Sequence, residues 1–302
     1  MTNLPEPKGV AAILNPNACP SVHRSIFSDF ALPGRVAVIT GGHRGIGLEM
    51  AFALAEAGAI VYCVDLPAFP DSDWEAVKQH VDKLSPLSEE IVRGAANKPS
   101  SKSKLVYISA DVTDQDGTRA VFKHIAETEG RVDVCVACAG ILRSAECLEY
   151  PGDEFRKLID INVNGVFFTA QAAARQMVRL GIPGSIILIA SMSGSIANRG
   201  QNFVAYNTSK SAVLQMARSM ACELAPQKIR VNTISPGYIL TDMTKAYLDP
   251  QPKLHAEWSS QNPMDRLGRP DELRGVVTWL ASDASTYCTG SDMIVDGGHR
   301  AW

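Results

Sequence analysis

Apolar positions come in two alternating patterns along this chain. Short unbroken runs rich in β-branched residues alternate with longer stretches in which apolar residues recur at helical spacing. Val36-Ala37-Val38-Ile39-Thr40 is the first run, the pattern of a strand buried on both faces. Leu48, Met50, Ala51, Phe52, Ala53, Leu54, Ala55 and Ala57 follow as a strong helix former, stopped by Gly58. Ile60–Val64, Leu105–Ala110, Val132–Ala137, Ser185–Ala190, Ile229–Ile234 and Met293–Val295 repeat the strand pattern. Helices are expected around Ala120–Ala126, over Phe155–Leu180 with an interruption near Asn162–Gly165, and over Ala205–Leu224. Such alternation specifies a single α/β domain with a doubly wound, mostly parallel, seven-stranded sheet.

Three stretches depart from this rhythm. Residues 1–29 carry Pro5, Pro7 and Pro20 without a sustained period and read as an N-terminal arm, ahead of a domain spanning 30–302. Ser25–Phe30 is expected to pack its apolar residues on the domain. An insert, 66–103, replaces the short connection expected after the second strand. Trp74, Val77, Val81 and Leu84 fall on one helical face, Leu87, Ile91 and Ala95 suggest a second short helix, and Lys98–Ser103 reads as an exposed loop. The insert is expected to be a surface decoration, with a cover over the neighbouring turn as the alternative. Residues 241–261 are expected to form a mobile lid.

Composition narrows the classes. The 302 residues are 46% hydrophobic with net charge −3, enough apolar material for a large core. The charge and the lack of a basic run exclude a nucleic-acid surface. No apolar stretch is long enough to span a membrane, and the first residues lack a signal-peptide pattern. Seven irregularly placed cysteines fit a reduced, cytoplasmic chain. Cys135 and Cys138 form a C-x-x-C, but strand geometry puts their Cα atoms about 10 Å apart, too far for a disulfide. No metal site is expected.

The chemistry gathers where strands end. Thr40-Gly41-x-x-x-Gly45-Ile46-Gly47 joins the first strand to its helix. A glycine turn that opens a helix lets backbone N–H groups and the positive dipole end approach a pyrophosphate. Asp65 ends the second strand, where a carboxylate meets an adenosine ribose hydroxyl. Asp111, followed by Val112, ends the third and is placed to accept from an adenine amino group. Tyr206 and Lys210 are four residues apart on one helix face. The cation is expected to lower the phenol pKa, so that the phenol exchanges a proton near neutral pH. Ser191, at the end of the fifth strand, is placed to hydrogen-bond a substrate oxygen.

With these motifs in order, the chain resembles a short-chain dehydrogenase/reductase, a Rossmann-like family, from about Phe30 to the C-terminus. The resemblance implies dinucleotide contacts at Gly41, Arg44, Gly45, Ile46, Gly47, Asp65, Asp111, Val112, Ala139, Gly140, Tyr206, Lys210, Pro236, Gly237, Ile239 and Thr241. It implies catalytic roles for Asn162, Ser191, Tyr206 and Lys210, and substrate contacts from Ser191, Ser193 and Tyr206. Tyr206 would be general acid in reduction and general base in oxidation. Lys210 would bind the nicotinamide ribose, Ser191 polarise the substrate oxygen, and Asn162 hold a proton-relaying water. Ser193 competes for the serine role, but Ser191 follows the strand directly. The family's Asn-Asn-Ala-Gly segment is Ala137-Cys138-Ala139-Gly140 here, so two amide side chains are missing. Asp65 favours NAD(H), whereas Arg44 is where NADP(H)-preferring relatives bind the extra phosphate.

Arg143, Ser193, Asn198, Gln201, Asn202 and Tyr238 are expected to make a polar rim. The sequence around Ser191 and Tyr206 is similar to fungal-type mannitol dehydrogenase and sorbose reductase members. A ketose or polyol is therefore the first substrate expectation, a ketone of secondary metabolism the second, and a non-catalytic dinucleotide sensor the reading from another class. The two long helices are expected to pair between subunits of a homodimer or homotetramer.

Overall fold

The computed structural model describes residues 9–14, 25–92, 102–241, 244–245, 248–249 and 252–302. Its framework alternates as the apolar pattern requires: β1 (Val36–Thr40), α1 (Gly45–Glu56), β2 (Ile60–Asp65), α2 (Ser72–Val81), β3 (Lys104–Ser109), α3 (Gln115–Glu129) and β4 (Val134–Ala137). Then come α4 (Gly152–Ile159), α5 (Val166–Leu180), β5 (Gly184–Ile189), α6 (Val204–Leu224), β6 (Ile229–Pro236), α7 (Pro252–Ser260), α8 (Arg274–Ala281) and β7 (Asp292–Val295). The seven strands lie in the order β3-β2-β1-β4-β5-β6-β7, and every pairing is parallel.

The pleat explains why β1 reads as an unbroken apolar run. Val36 and Val38 face one cluster, with Phe122 and Ile125 of α3 and Met177 of α5. Ala37 and Ile39 face the other, with Met50 and Leu54 of α1, Trp74 of α2 and Leu280 of α8. Each such large side chain contributes roughly 2 kcal/mol by leaving water. Strand order reverses between β1 and β4, so the connections leaving their ends diverge and open a crevice there.

The long helix expected over Phe155–Leu180 is interrupted where the sequence placed the break: a π-type turn, Asp160–Gly165, separates α4 from α5. Cys135 and Cys138 are both unpaired, and β4 ends before Cys138.

The arm packs differently from expectation. Ile26 and Phe27 are 63% and 73% exposed, while Ala31 and Leu32 are buried in their place. The helix Ile26–Phe30 turns one narrow face inward, and Ser28 occupies it. The Leu32 amide then donates to Ala57 O at 2.7 Å, fastening the segment after this helix to the end of α1.

The insert is docked rather than decorative along its described part. Asp71 caps α2 by accepting from Trp74 N, and Trp74 and Val81 are buried on the expected face. Ile91 lies in a second short helix, Glu89–Val92, as expected; Ala95 and most of the Lys98–Ser103 loop lie outside the described residues. Truncating the fully packed indole in Trp74→Ala should cost about 3–5 kcal/mol of stability. Urea denaturation of the two proteins, compared at fixed pH, checks this.

Candidate active site

The crevice between the diverging connections is a cleft of about 580 Å³. The glycine turn forms one wall. Gly41 sits at φ +70°, and a Cβ there would be 2.7 Å from Ala139 N. A Cβ at Gly47 would lie 2.0 Å from Gly41 O. Both positions therefore need glycine, the first for its backbone conformation and for close approach, the second for approach alone. The first-turn amides of α1 have no intrahelical acceptors, which makes this end of the cleft an anion-binding surface. Arg44, at the N-cap, is exposed on it.

Asp65 reaches the same wall from the end of β2. Its carboxylate accepts from His43 N at 3.1 Å and from Leu66 N at 2.8 Å. Among the described residues it forms no ion pair with Arg44, so the carboxylate and the guanidinium stand separately in the cleft. Asp111 is exposed at its edge, with Oδ1 accepting from Thr113 N and Oγ1. Val112, buried, packs beneath it.

Across the cleft, Ser191, Tyr206 and Lys210 converge. Ser191 follows the end of β5 after one intervening residue, 7% exposed. Its hydroxyl accepts from Ser193 N at 3.2 Å, and it hydrogen-bonds Tyr206. Ser193 also lines the cleft, but the contact with the phenol belongs to Ser191. Lys210, 4% exposed, donates from Nζ to Ile189 O at 2.9 Å and lies 5.6 Å from the Tyr206 ring centre.

The electrostatics correct the expected phenol acidity. Burial pushes Tyr206 up to about 12, with the Ser191 hydrogen bond acting the other way. Burial also pulls Lys210 down to about 8. Desolvation of both groups outweighs the attraction that the spacing alone suggested. At neutral pH the phenol is thus a proton donor with its proton in place.

All of the site residues expected from sequence line the cleft except Asn162, which is fully buried behind it. From the π-type turn its Nδ2 donates to Ile141 O at 2.9 Å and to Ser209 Oγ at 3.1 Å, and its Oδ1 accepts from Ile141 N at 2.8 Å. The amide braces the segment after β4 against the first turns of α6, which carry Tyr206. At the two positions without amides, Ala137 is buried in the core and Cys138 lines the cleft.

The other end of the cleft is less polar than expected. Arg143 pairs with Glu154 at 3.1 Å, Asn198 donates to Tyr238 Oη, and the cleft lining omits Gln201 and Asn202. Leu142, Met192, Phe203, Tyr238 and Trp258 line it instead, with Ser193. Tyr238 and Trp258 stack at 4.0 Å, and Trp258 of α7 is 1% exposed. α7 belongs to the stretch 241–261 read as a lid; residues 242–243, 246–247 and 250–251 of it lie outside the described set. Sequence reasoning missed Phe203, Trp258 and His43. His43 sits inside the glycine turn and was readable there, whereas the aromatic wall depends on how α7 folds back.

This cleft, with its glycine turn, its carboxylate and its serine, tyrosine and lysine, matches one family. Residues 41–300 match a family model described as enoyl-(acyl carrier protein) reductase, and the chain belongs to the short-chain dehydrogenase/reductase family. It is 36% identical to a ribulose-forming D-arabinitol 2-dehydrogenase of Candida tropicalis, over 92% of this chain and 96% of that one. It is 39% identical to the sorbose reductase sou1 of Schizosaccharomyces pombe, over 90% and 98%. A solved structure assigned as an NAD(P)-dependent gluconate 5-dehydrogenase of Beutenbergia cavernae, with NADP bound at low occupancy, superposes with TM-score 0.75 and 32% identity, over 91% and 100%.

The buried lysine makes a pH prediction. Below about 8, Lys210 is charged in both folded and unfolded chains, and burying that charge costs stability. Between the folded value of about 8 and the unfolded value of 10.5, the unfolded chain binds the extra proton, so this contribution rises with pH. The stability of the native protein relative to Lys210→Met should therefore climb by up to ~3 kcal/mol from pH 7 to pH 10. Parallel urea titrations at each pH read the difference.

Proposed function

We propose that this chain is an oxidoreductase that interconverts a ketone and a secondary alcohol with a nicotinamide dinucleotide, and that the substrate is a ketose or polyol. The observation that carries the reading is the convergence of Ser191, Tyr206 and Lys210 on one cleft opposite a glycine turn that excludes Cβ atoms. The residues fit the dinucleotide: the α1 N-terminus and the Gly41–Gly47 turn for the pyrophosphate, and Asp65 for the adenosine ribose. Asp111 and Val112 serve the adenine, Ala139, Gly140 and Lys210 the nicotinamide ribose, and Pro236, Gly237, Ile239 and Thr241 the carboxamide. When bound, it supplies the hydride.

The chain's own residues do the rest. Ser191 donates toward the substrate oxygen and keeps it beside Tyr206. Tyr206, protonated at neutral pH, delivers its proton to that oxygen during reduction and takes it back during oxidation. Lys210 places a positive charge near the phenol, and Asn162 holds the surrounding segments in register. The carboxylate of Asp65 supports NAD(H), since it would repel a 2′-phosphate. Arg44 is the feature that supports NADP(H).

The named relatives support the sugar reading. The apolar wall of Leu142, Phe203 and Trp258 favours a second one, a bulkier ketone of secondary metabolism. A sensor without turnover is disfavoured by the retention of Ser191, Tyr206 and Lys210 together. Phe167 and Val178 on α5 and Val204 on α6 are partly exposed apolar residues, which supports a homodimer or homotetramer; a monomeric mass by light scattering would sink that claim. Cys63, Cys135, Cys138, Cys147, Cys222 and Cys288 are unpaired, which supports a cytoplasmic location. No helix among the described residues is long and apolar enough to cross a membrane.

The test is the loss of reduced-nicotinamide absorbance with NADH and, separately, NADPH, against ketoses and bulky ketones. Ketose turnover with NADH is expected; turnover of bulky ketones alone would replace the substrate reading, and cofactor binding without any turnover would restore the sensor. Tyr206→Phe should lower kcat at least about a thousandfold while dinucleotide affinity stays within about twofold. Near-normal turnover by this variant would remove Tyr206 from the mechanism.

A further inference from the structure

The insert begins against the cofactor wall, and its first residues are held there by an unusual set of contacts. Leu66 N donates to Asp65 Oδ1 at 2.8 Å. Tyr107 Oη, from β3, donates to Pro67 O at 2.8 Å, and Ser109 Oγ donates to Leu66 O at 3.2 Å. His43, inside the glycine turn, accepts at Nε2 from Asp71 N at 3.0 Å, while its own backbone N–H serves the other oxygen of Asp65. The rings reinforce this. Tyr107 meets His43 edge-on at 5.8 Å and Trp74 edge-on at 5.5 Å. Leu66 and Pro67 line the cleft beside Asp65.

Segment 66–71 is thus clamped from both sides, by β3 and by the phosphate-binding turn. The clamp matters because the same wall carries conflicting signals. Asp65 disfavours a 2′-phosphate, yet Arg44 stands exposed nearby and, among the described residues, has no ion-pair partner. A phosphate able to swing away from Asp65 toward Arg44 would find a favourable site. Discrimination then depends on denying it that room, which is a matter of repulsion and rigidity rather than of attraction.

We propose that His43 and Tyr107 are positioning residues that hold segment 66–71 as a fixed wall beside Asp65, and that this wall sets the preference for the dinucleotide lacking a 2′-phosphate. The proposal rests on the dinucleotide reading of the cleft. Neither side chain needs to touch the cofactor. Each acts through the segment it pins.

Calorimetric titration with NADH and NADPH tests this without turnover. Native protein should bind NADH more tightly. Tyr107→Phe keeps the ring contacts and removes only the hydrogen bond to Pro67; His43→Ala removes the Nε2 contacts with the Asp71 N–H and carboxylate and the ring contact with Tyr107. Each should narrow the NADH-to-NADPH affinity ratio by about fivefold, chiefly by tightening NADPH. His43→Gln, which retains an acceptor, should restore most of the ratio. A loosened fold would weaken both dinucleotides alike, so an unchanged ratio in both variants overturns the proposal, as does tighter NADPH binding by the native protein. Failure of the native protein to bind either dinucleotide would instead overturn the reading of the cleft. Melting temperatures of all the variants confirm that each is folded during titration.

Discussion

The approach of the Gly41 backbone to the backbone of Ala139 is the constraint on which the rest of this molecule depends. The two segments leave adjacent parallel strands and then part. They can begin in contact only because no Cβ stands between them; one at Gly41 would lie 2.7 Å from Ala139 N. From that contact, the α1 N-terminus faces the cleft on one side. On the other, the chain after β4 runs to Ile141, where the buried amide of Asn162 catches both its N–H and its carbonyl. The same amide reaches Ser209 on α6, so the segment beside the glycine turn and the helix carrying Tyr206 share one brace. The glycine turn and the Tyr206 phenol are therefore held in a single frame.

Within that frame, desolvation dominates. A phenol raised to about 12 and an amine lowered to about 8 leave a neutral phenol beside a charged lysine at neutral pH, not an ion pair. The arrangement stabilises the protonated phenol and makes the lysine charge conditional. Ser191 is the contact that relieves the phenol, which couples the proposed proton donor to the serine proposed to meet a substrate oxygen.

Much of this was legible in the sequence. Unbroken apolar runs such as Val36–Ile39 mark strands covered on both faces, and the order of motifs marked the strand ends where the site lies. The break at Asn162–Gly165 was visible as a poor helical stretch. Other features were not, because they depend on distance through space. Ile26 and Phe27 look like anchors, yet a helix of one turn can bury only one of its faces, and Ser28 holds it. Arg143 and Asn198 look like rim residues until Glu154 and Tyr238 claim them. The spacing of Tyr206 and Lys210 shows that they are neighbours but not how little water surrounds them. The docking of the insert was legible in part, since Trp74 and Val81 bury the expected face, whereas His43 and Tyr107, which hold its first residues, lie outside it.

Cys138 occupies the cleft wall where an asparagine is usual, and its surroundings give it a specific chemical temperament. Burial raises its thiol to about 11, against the opposing pull of Lys210. At neutral pH the thiol therefore prevails over the thiolate, the form that oxidants and electrophiles attack. A sulfur on the cleft wall is in this way held as the less nucleophilic thiol.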